Sequence, residues 1–278
     1  MADSIFSTRL TPEKIAGTDN VYSIPIYQRL FEWDKPRITQ LLDDMYRTFI
    51  KSPETPYYIG MLTSNDNNEL IDGQQRITAM AAAIVGQEVL DDHYKWKRIA
   101  IAFNPLEEKF EVSNNAILKS AKWIPDIAPV LEPAFDSFSF VMEYCQKNEI
   151  EDQMPQVNKI INHLRSIQNN SLGVITLDSR LDIDSVTDIF IRINSKGVVL
   201  SQADFAMSKI SSNETYGGNI TRKTIDYFCH LLESPEDLKD IKNNDRAFAA
   251  LPEFDAIKWA ASKNDPIYKT SYTDILRV

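Results

Sequence analysis

The sequence predicts an α+β protein, with a small mixed sheet near the N-terminus and a largely helical remainder. Three observations lead there. Short apolar runs separated by polar turns lie between Tyr57 and Val112, in the manner of hairpins. Beyond them the apolar residues recur at helical spacing. The third observation is compositional: the chain has only 8 glycines in 278 residues, against roughly 19 at ordinary usage, which disfavours turn-dense β architectures and glycine-rich dinucleotide folds.

In chain order, Thr11-Pro12-Glu13 has the N-cap and first-turn proline of a short helix ending near Gly17. Val21 to Ile26 follows as a strand, and Pro25 confines it to an edge or a strand end. The clearest helix starts at the N-cap Asp34, with Pro36 in its first turn and Ile38, Leu41, Leu42, Met45 and Phe49 on one face. Tyr57 to Thr63 and Glu69 to Ile71 form a hairpin around Ser64 to Asn68. Asp72-Gly73 then breaks the strand, and Ile77, Met80, Ala81 and Ile84 take up a helical period, giving a strand-turn-helix unit. Arg98 to Phe103 and Phe110 to Val112 form a second hairpin around Asn104-Pro105.

Pro125, Pro129 and Pro133 mark a connector, and a helix follows over Phe135 to Cys145. Val157, Ile160, Ile161, Leu164 and Ile167 make a further helical stripe, and Leu172 to Leu177 a strand. Val186, Ile189, Phe190 and Ile193 form another stripe, stopped by Asn194 to Gly197. Ser201-Gln-Ala-Asp204 opens a new helix, and helices with polar loops run to the end. The expected division is a core over 1–115 and a helical extension over 116–278, packing on the core and ending before a further C-terminal domain.

With 40 acidic and 30 basic side chains the formal charge is −10. A broad surface coating DNA without sequence preference is therefore excluded, since that requires clustered Lys and Arg. DNA, as a partner, would have to meet a local groove, a C-terminal nuclease domain or another protein. Cys145 and Cys229 stand far apart and read as reduced, buried small hydrophobes. The N-terminus has no signal-peptide pattern and no run approaches a membrane span, so a cytoplasmic protein with no membrane partner is expected. No Walker A loop, GxGxxG or HExxH occurs. Asp43-Asp44 and Asp91-Asp92 read as solvated charges.

Three segments carry chemistry. In Glu69-Leu-Ile-Asp72-Gly73-Gln74-Gln75-Arg76 a strand feeds a tight turn, Gly73 permits close backbone approach, and the following helix offers free amides. With the amides of Gln74 and Gln75 and the guanidinium fork of Arg76, this unit can cradle a phosphate. Asp72 is open to two roles, helix cap or ligand of a divalent ion, and the whole turn also reads as a capped helix start with solvated polar residues. In Ile24-Pro-Ile-Tyr27-Gln28-Arg29-Leu-Phe31-Glu-Trp33, polar residues interleave with aromatics, as suits stacking on a base beside a phosphate contact; the same residues can equally close a core. The third segment, Ile189 to Asp204, presents Asn194, Ser195 and Lys196 in a turn between helices.

Taken together, Ile24-Pro-Ile-Tyr-Gln-Arg29 with Trp33, Tyr58-Ile-Gly60, Ile71-Asp-Gly-Gln-Gln-Arg76-Ile-Thr78, and Phe190-Ile-Arg-Ile-Asn194 with Gly197, Leu200-Ser201 and Asp204 resemble the GmrSD restriction endonuclease N-terminal domain family. The resemblance implies a ParB/sulfiredoxin-like nucleotide-binding fold in prokaryotic defence proteins that hydrolyse nucleoside triphosphates and restrict foreign DNA. It carries over Gln28, Arg29, Asp72, Gly73, Gln74, Gln75 and Arg76 as site residues, with Tyr27, Asn194 and Gly197 alongside, and a nucleoside triphosphate with Mg²⁺ as ligand. Asp72, Gln74, Gln75 and Arg76 form the expected catalytic set, with Asp72 as the metal ligand. Many members continue into a nuclease domain with a His-Asn-His motif. Here His93, His163 and His230 are scattered, and no nuclease activity is expected of this chain. In sulfiredoxins the corresponding turn reads Gly-Cys-His-Arg; Gly73-Gln74-Gln75-Arg76 carries no thiol, so that redox chemistry is excluded. The expected activity is triphosphate hydrolysis within a restriction system, the alternative a non-catalytic module that senses DNA or nucleotide and regulates a separate nuclease.

Overall fold

The computed structural model describes residues 5–12, 33–52, 54–64, 70–91, 93–169, 171–178, 180–181, 185, 189, 206–207, 210, 214–262 and 271–276. The expected strand at 21–26, the segment 190–205, and with them Tyr27, Gln28, Arg29, Asn194 and Gly197, lie outside the described residues. The chain divides into two compact units, the first drawn from residues 31–89 and 97–179 with the N-terminal strand, the second from residues 90–96 and 180–278.

The first unit is built on a four-stranded mixed sheet of order β1-β8-β2-β3, which bears out the α+β class. β1 (Ile5–Leu10) runs antiparallel to β8 (Leu172–Leu177), with Ile5 opposite Leu177 and Leu10 opposite Leu172. β2 (Tyr57–Ser64) lies parallel to β8 on its other side, and β3 (Leu70–Asp72) closes the expected hairpin, antiparallel to β2 with Leu62 opposite Asp72.

Helix α1 (Lys35–Lys51) forms as its sequence predicts. The Asp34 carboxylate accepts from the Arg37 amide at 3.0 Å, and Ile38, Leu41, Leu42 and Met45 are buried. Phe49 is only half-buried, and Tyr46 enters the core as well. Its ring packs against Phe103 and Phe110 at 5.6 and 5.7 Å, while its hydroxyl donates to the Glu108 carboxylate at 2.6 Å. That one bond lets the polar tip of a buried tyrosine keep a partner.

Helix α2 (Gln74–Met80) continues without a break into a π-helical turn over Ala81–Val85. Ile77, Met80, Ala81 and Ile84 are all buried as expected, and so are Ala79, Ala82 and Ala83, so this helix is wrapped on every side. It ends at Gly86, whose φ of +80° strains any side chain and where a Cβ would meet Ala128 at a tight 3.3 Å.

The strand expected over Arg98 to Phe103 is divided in two. β5 (Trp96–Arg98) pairs with β4 (Glu88–Leu90), and β6 (Ile101–Asn104) pairs with β7 (Lys109–Val112). The cause is Arg98. Its guanidinium turns inward, gripping both oxygens of Asp126 at 2.9 and 2.7 Å and the carbonyl of Ala82 at 2.6 Å. One side chain thus ties the π-helical turn to the proline connector. Arg98→Ala is expected to cost about 2 kcal/mol, as charge-assisted hydrogen bonds of partly buried groups do. Urea unfolding would read this as a lower midpoint at unchanged slope, and an unmoved midpoint would place the pair among exposed ones worth little.

The connector holds a short helix, α3 (Ala128–Leu131), and is followed by α4 (Ser137–Asn148), capped by Asp136, and α5 (Met154–Ser166). The α5 stripe of Val157, Ile160, Ile161 and Leu164 is buried, with Ile167 beyond its end. These helices share one core with α1, α2 and the sheet. Cys145 is a buried free thiol, as is Cys229 of the second unit, which burial pushes up to about 12.

The described helices of the second unit are α6 (Gly218–Glu233), α7 (Leu238–Asn244), α8 (Arg246–Ala249), α9 (Pro252–Ile257) and α10 (Tyr272–Ile275). Its core gathers Tyr94, Tyr227, Leu231, Ile241, Phe248 and Phe254. Two carboxylates organise it. Asp237 is 1% exposed and takes His93 Nδ1 and His230 Nε2 on one oxygen, each at 2.9 Å. Asp245 takes Lys223 Nζ at 2.5 Å and the Tyr227 hydroxyl at 2.8 Å, and its other oxygen caps α8 at the Phe248 amide.

Candidate functional site

The strand-to-helix junction of the first unit joins most of the chemistry-bearing residues that the structure describes. β3 ends at Asp72, which is held in the ladder opposite Leu62. The N-cap of α2 is therefore Gly73, with φ +98° and ψ +7°. Of the two roles open to Asp72, that removes the helix cap. The left-handed conformation at this buried position explains the glycine, since a side chain would be strained there.

Gly73 has no side chain with which to cap, and the first helical turn carries Gln74, Gln75 and Arg76, all half-buried. None of the three is idle: each is engaged with a neighbour. The Gly73 carbonyl accepts from the Ile77 amide at 3.0 Å, so the helix starts at once. Amides of such a start carry partial positive charge.

β3 runs in the direction of the end at which β2 begins. Because β3 is antiparallel to β2, the chain leaving Asp72 heads back along β2 towards its first residue, Tyr57. Tyr57 is half-buried, its backbone fixed by donation to the Ser171 carbonyl at 2.8 Å. Burial, above all, raises its phenol above the ordinary tyrosine value. The Asp44 carboxylate that faces it adds to this, and the positive charge of Arg76 acts in the opposite sense. Asp44 in turn accepts from Gln40 Nε2 at 2.7 Å, one turn back on α1.

Sequence reasoning took Asp44 for a solvated charge and did not weigh Tyr57. The available signal was position: Asp44 flanks the apolar stripe between Leu41 and Met45 and pairs with Gln40 at i, i+4. Asp43, its neighbour, has a cation of its own, Arg47, at 3.2 Å. Among the described residues no three His, Cys, Asp or Glu side chains stand where they could hold a metal. The side chain of Asp72 lies outside what is described. No described helix is long and apolar enough to cross a membrane.

The family model for the GmrSD restriction endonuclease N-terminal domain matches residues 12–211, a span that includes the junction and the motifs on either side of it. No curated protein matches the chain.

Proposed function

The chain belongs to the GmrSD restriction endonuclease N-terminal domain family, a component of restriction and hence defence systems, and from that premise we propose that it binds a nucleoside triphosphate with Mg²⁺ and hydrolyses it. The sheet would be of the ParB/sulfiredoxin-like type. One observation carries the reading: a buried glycine in left-handed conformation joins strand to helix, and three half-buried polar residues, Gln74, Gln75 and Arg76, follow it directly. Amides at a helix start together with a guanidinium fork match a phosphate in charge and in geometry.

In this mechanism Arg76 and the α2 amides hold the phosphates, and Gln74 or Gln75 orients the attacking water. Asp72 would supply a carboxylate to hold Mg²⁺, whose charge would help to neutralise the phosphates. Tyr27, Gln28 and Arg29 from the first motif, with Asn194 and Gly197 from the last, would complete the nucleotide site. DNA enters through a local groove, a C-terminal nuclease domain or a partner.

The test is thermal. With each of the four ribonucleoside triphosphates and Mg²⁺ at millimolar concentration, one at least is expected to raise the melting temperature, since ligand at 100 times its Kd adds about 2.7 kcal/mol to stability. Melting curves unmoved by all four would sink the reading. Steady-state phosphate release then separates a triphosphatase from a sensing module, which would bind without turnover.

A further inference from the structure

We propose that Arg98 is a positioning residue for the turn of Gln74, Gln75 and Arg76. It supplies the hydrogen-bond donor that the π-helical turn at the end of α2 lacks, and so fixes the rotation at which the helix presents those side chains to a phosphate. The phosphate itself rests on the nucleotide reading above.

The missing donor follows from the backbone. Ala81–Val85 continues α2 with one residue more than α-helical turns would hold. In an α-helix the Gly86 amide would serve the Ala82 carbonyl, and in a longer π-helix the Gln87 amide would. Both go to the Ala81 carbonyl instead, the second at 3.1 Å. Ala82 is 1% exposed, so its carbonyl has to find a partner inside the protein. Arg98 is that partner. Its Nη1 donates to the Ala82 carbonyl at 2.6 Å and to the neighbouring Ile99 carbonyl at 2.5 Å, while Nη2 grips the two oxygens of Asp126 at 2.9 and 2.7 Å. Asp126 accepts in turn from the Ala128 amide at 3.1 Å, at the start of α3.

A helix with one residue in surplus has two arrangements. It keeps the π turn, which leaves a buried carbonyl in need of a donor, or it closes that turn into α geometry, which does not. Closing it rotates one flank against the other by about 100° and moves it about 1.5 Å along the axis, the share of one residue in an α-helix. Beyond the turn the chain is pinned, because Gly86 stands at φ +80° and β4 follows at once. The rotation therefore falls on the flank that carries Gln74, Gln75 and Arg76, and it would turn Ile77 and Met80 away from the core positions they hold. With Arg98 in place the π turn leaves the Ala82 carbonyl satisfied and gives no reason to rotate. The first turn is then set before any ligand arrives, which lowers the ordering loss on binding.

The experiment combines Arg98→Ala with deletion of Ala82, in the full chain. Without Ala82 the bond from Gly86 to Ala81 becomes an ordinary α-helical one, no carbonyl is left over, and both flanks keep their present rotation. Arg98→Ala alone is expected to weaken binding of the triphosphate that most raises the melting temperature by about tenfold, within the range for residues coupled to a ligand they do not touch. In the chain lacking Ala82 the same substitution should leave affinity unchanged. Affinities are read at a temperature where circular dichroism shows each variant folded. An Arg98→Ala protein that binds like the parent, or one that loses as much with Ala82 deleted as with it present, overturns the proposal. A second readout needs neither ligand nor deletion, and it decides the matter if the deletion does not fold. Hydrogen exchange at the amides of residues 77–80 should accelerate in Arg98→Ala by about tenfold more than at those of β8. Equal acceleration in both, the mark of an arginine that only stabilises the fold, overturns the proposal. A parent that binds none of the four triphosphates overturns the nucleotide reading instead, and the exchange result still decides whether Arg98 positions the turn.

Discussion

Arg76→Ala is expected to weaken triphosphate binding roughly tenfold to more than a hundredfold, the equivalent of about 1.5 to 3 kcal/mol for a charge-assisted contact to phosphate. The fold should survive. The apolar stripe of α2 is carried by Ile77, Met80, Ala81 and Ile84, all buried without help from the arginine. A cation in a first helical turn is in fact mildly unfavourable, by about 0.3 to 1 kcal/mol, toward the helix dipole. Arg76→Lys should recover only part of the affinity, because an ammonium cannot reproduce a planar fork. An Arg76→Ala protein that fails to fold, beside Gln74→Ala and Gln75→Ala proteins that bind normally, would make Arg76 a structural residue.

The largest effect on stability is expected from Asp245→Ala. Lys223 and Asp245 side chains are 13% and 18% exposed, and removing one partner of a buried ion pair costs about 3 to 5 kcal/mol because it strands the other. The lower end of that range applies, since the carboxylate retains some contact with water. Asp245→Asn keeps an acceptor for Tyr227 and for the α8 cap, and so should cost less. The pH dependence has a definite sign. Burial alone would raise the Asp245 carboxyl, but the hydrogen bonds from Lys223 and Tyr227 outweigh it and hold the group below the ordinary carboxylate value. Its contribution is therefore fully present above the unfolded value of about 3.9 and is lost as the pH falls below it. Urea midpoints measured from pH 6 down to pH 3 should fall more steeply for the parent than for Asp245→Asn, and parallel curves would refute this.

Local chemistry was the legible part of the fold. The Asp34 cap and the apolar period of α1 each act within a few residues, and each stands where the residues said it would. Tyr46 lay outside the predicted stripe, and its acceptor, Glu108, comes from a distant hairpin. Asp72 was open to capping the helix, and what removed that role is something no local pattern contains, the pairing of Asp72 with Leu62. Asp44 was missed for the same reason. Its neighbour Tyr57 belongs to β2, which only the folded chain brings beside it. Likewise Leu172 to Leu177 was readable as a strand, but not as the strand lying between β1 and β2.

That central place of β8 has a consequence for synthesis. β1 leaves the ribosome first and β2 soon after, yet both pair with a strand that follows β2 by roughly a hundred residues, on the order of 10 s at ordinary elongation rates. Until then the nascent chain displays two unpaired strand edges, of the kind on which other chains add and aggregate. Closure of so long a loop also slows the final assembly. A nascent chain stalled before Leu172 should be protease-sensitive and bound by chaperones, and one stalled well past Leu177 should be protected. The strand-to-helix junction after β3 sits on the far side of β2 from β8, so its ordering waits on the same late event.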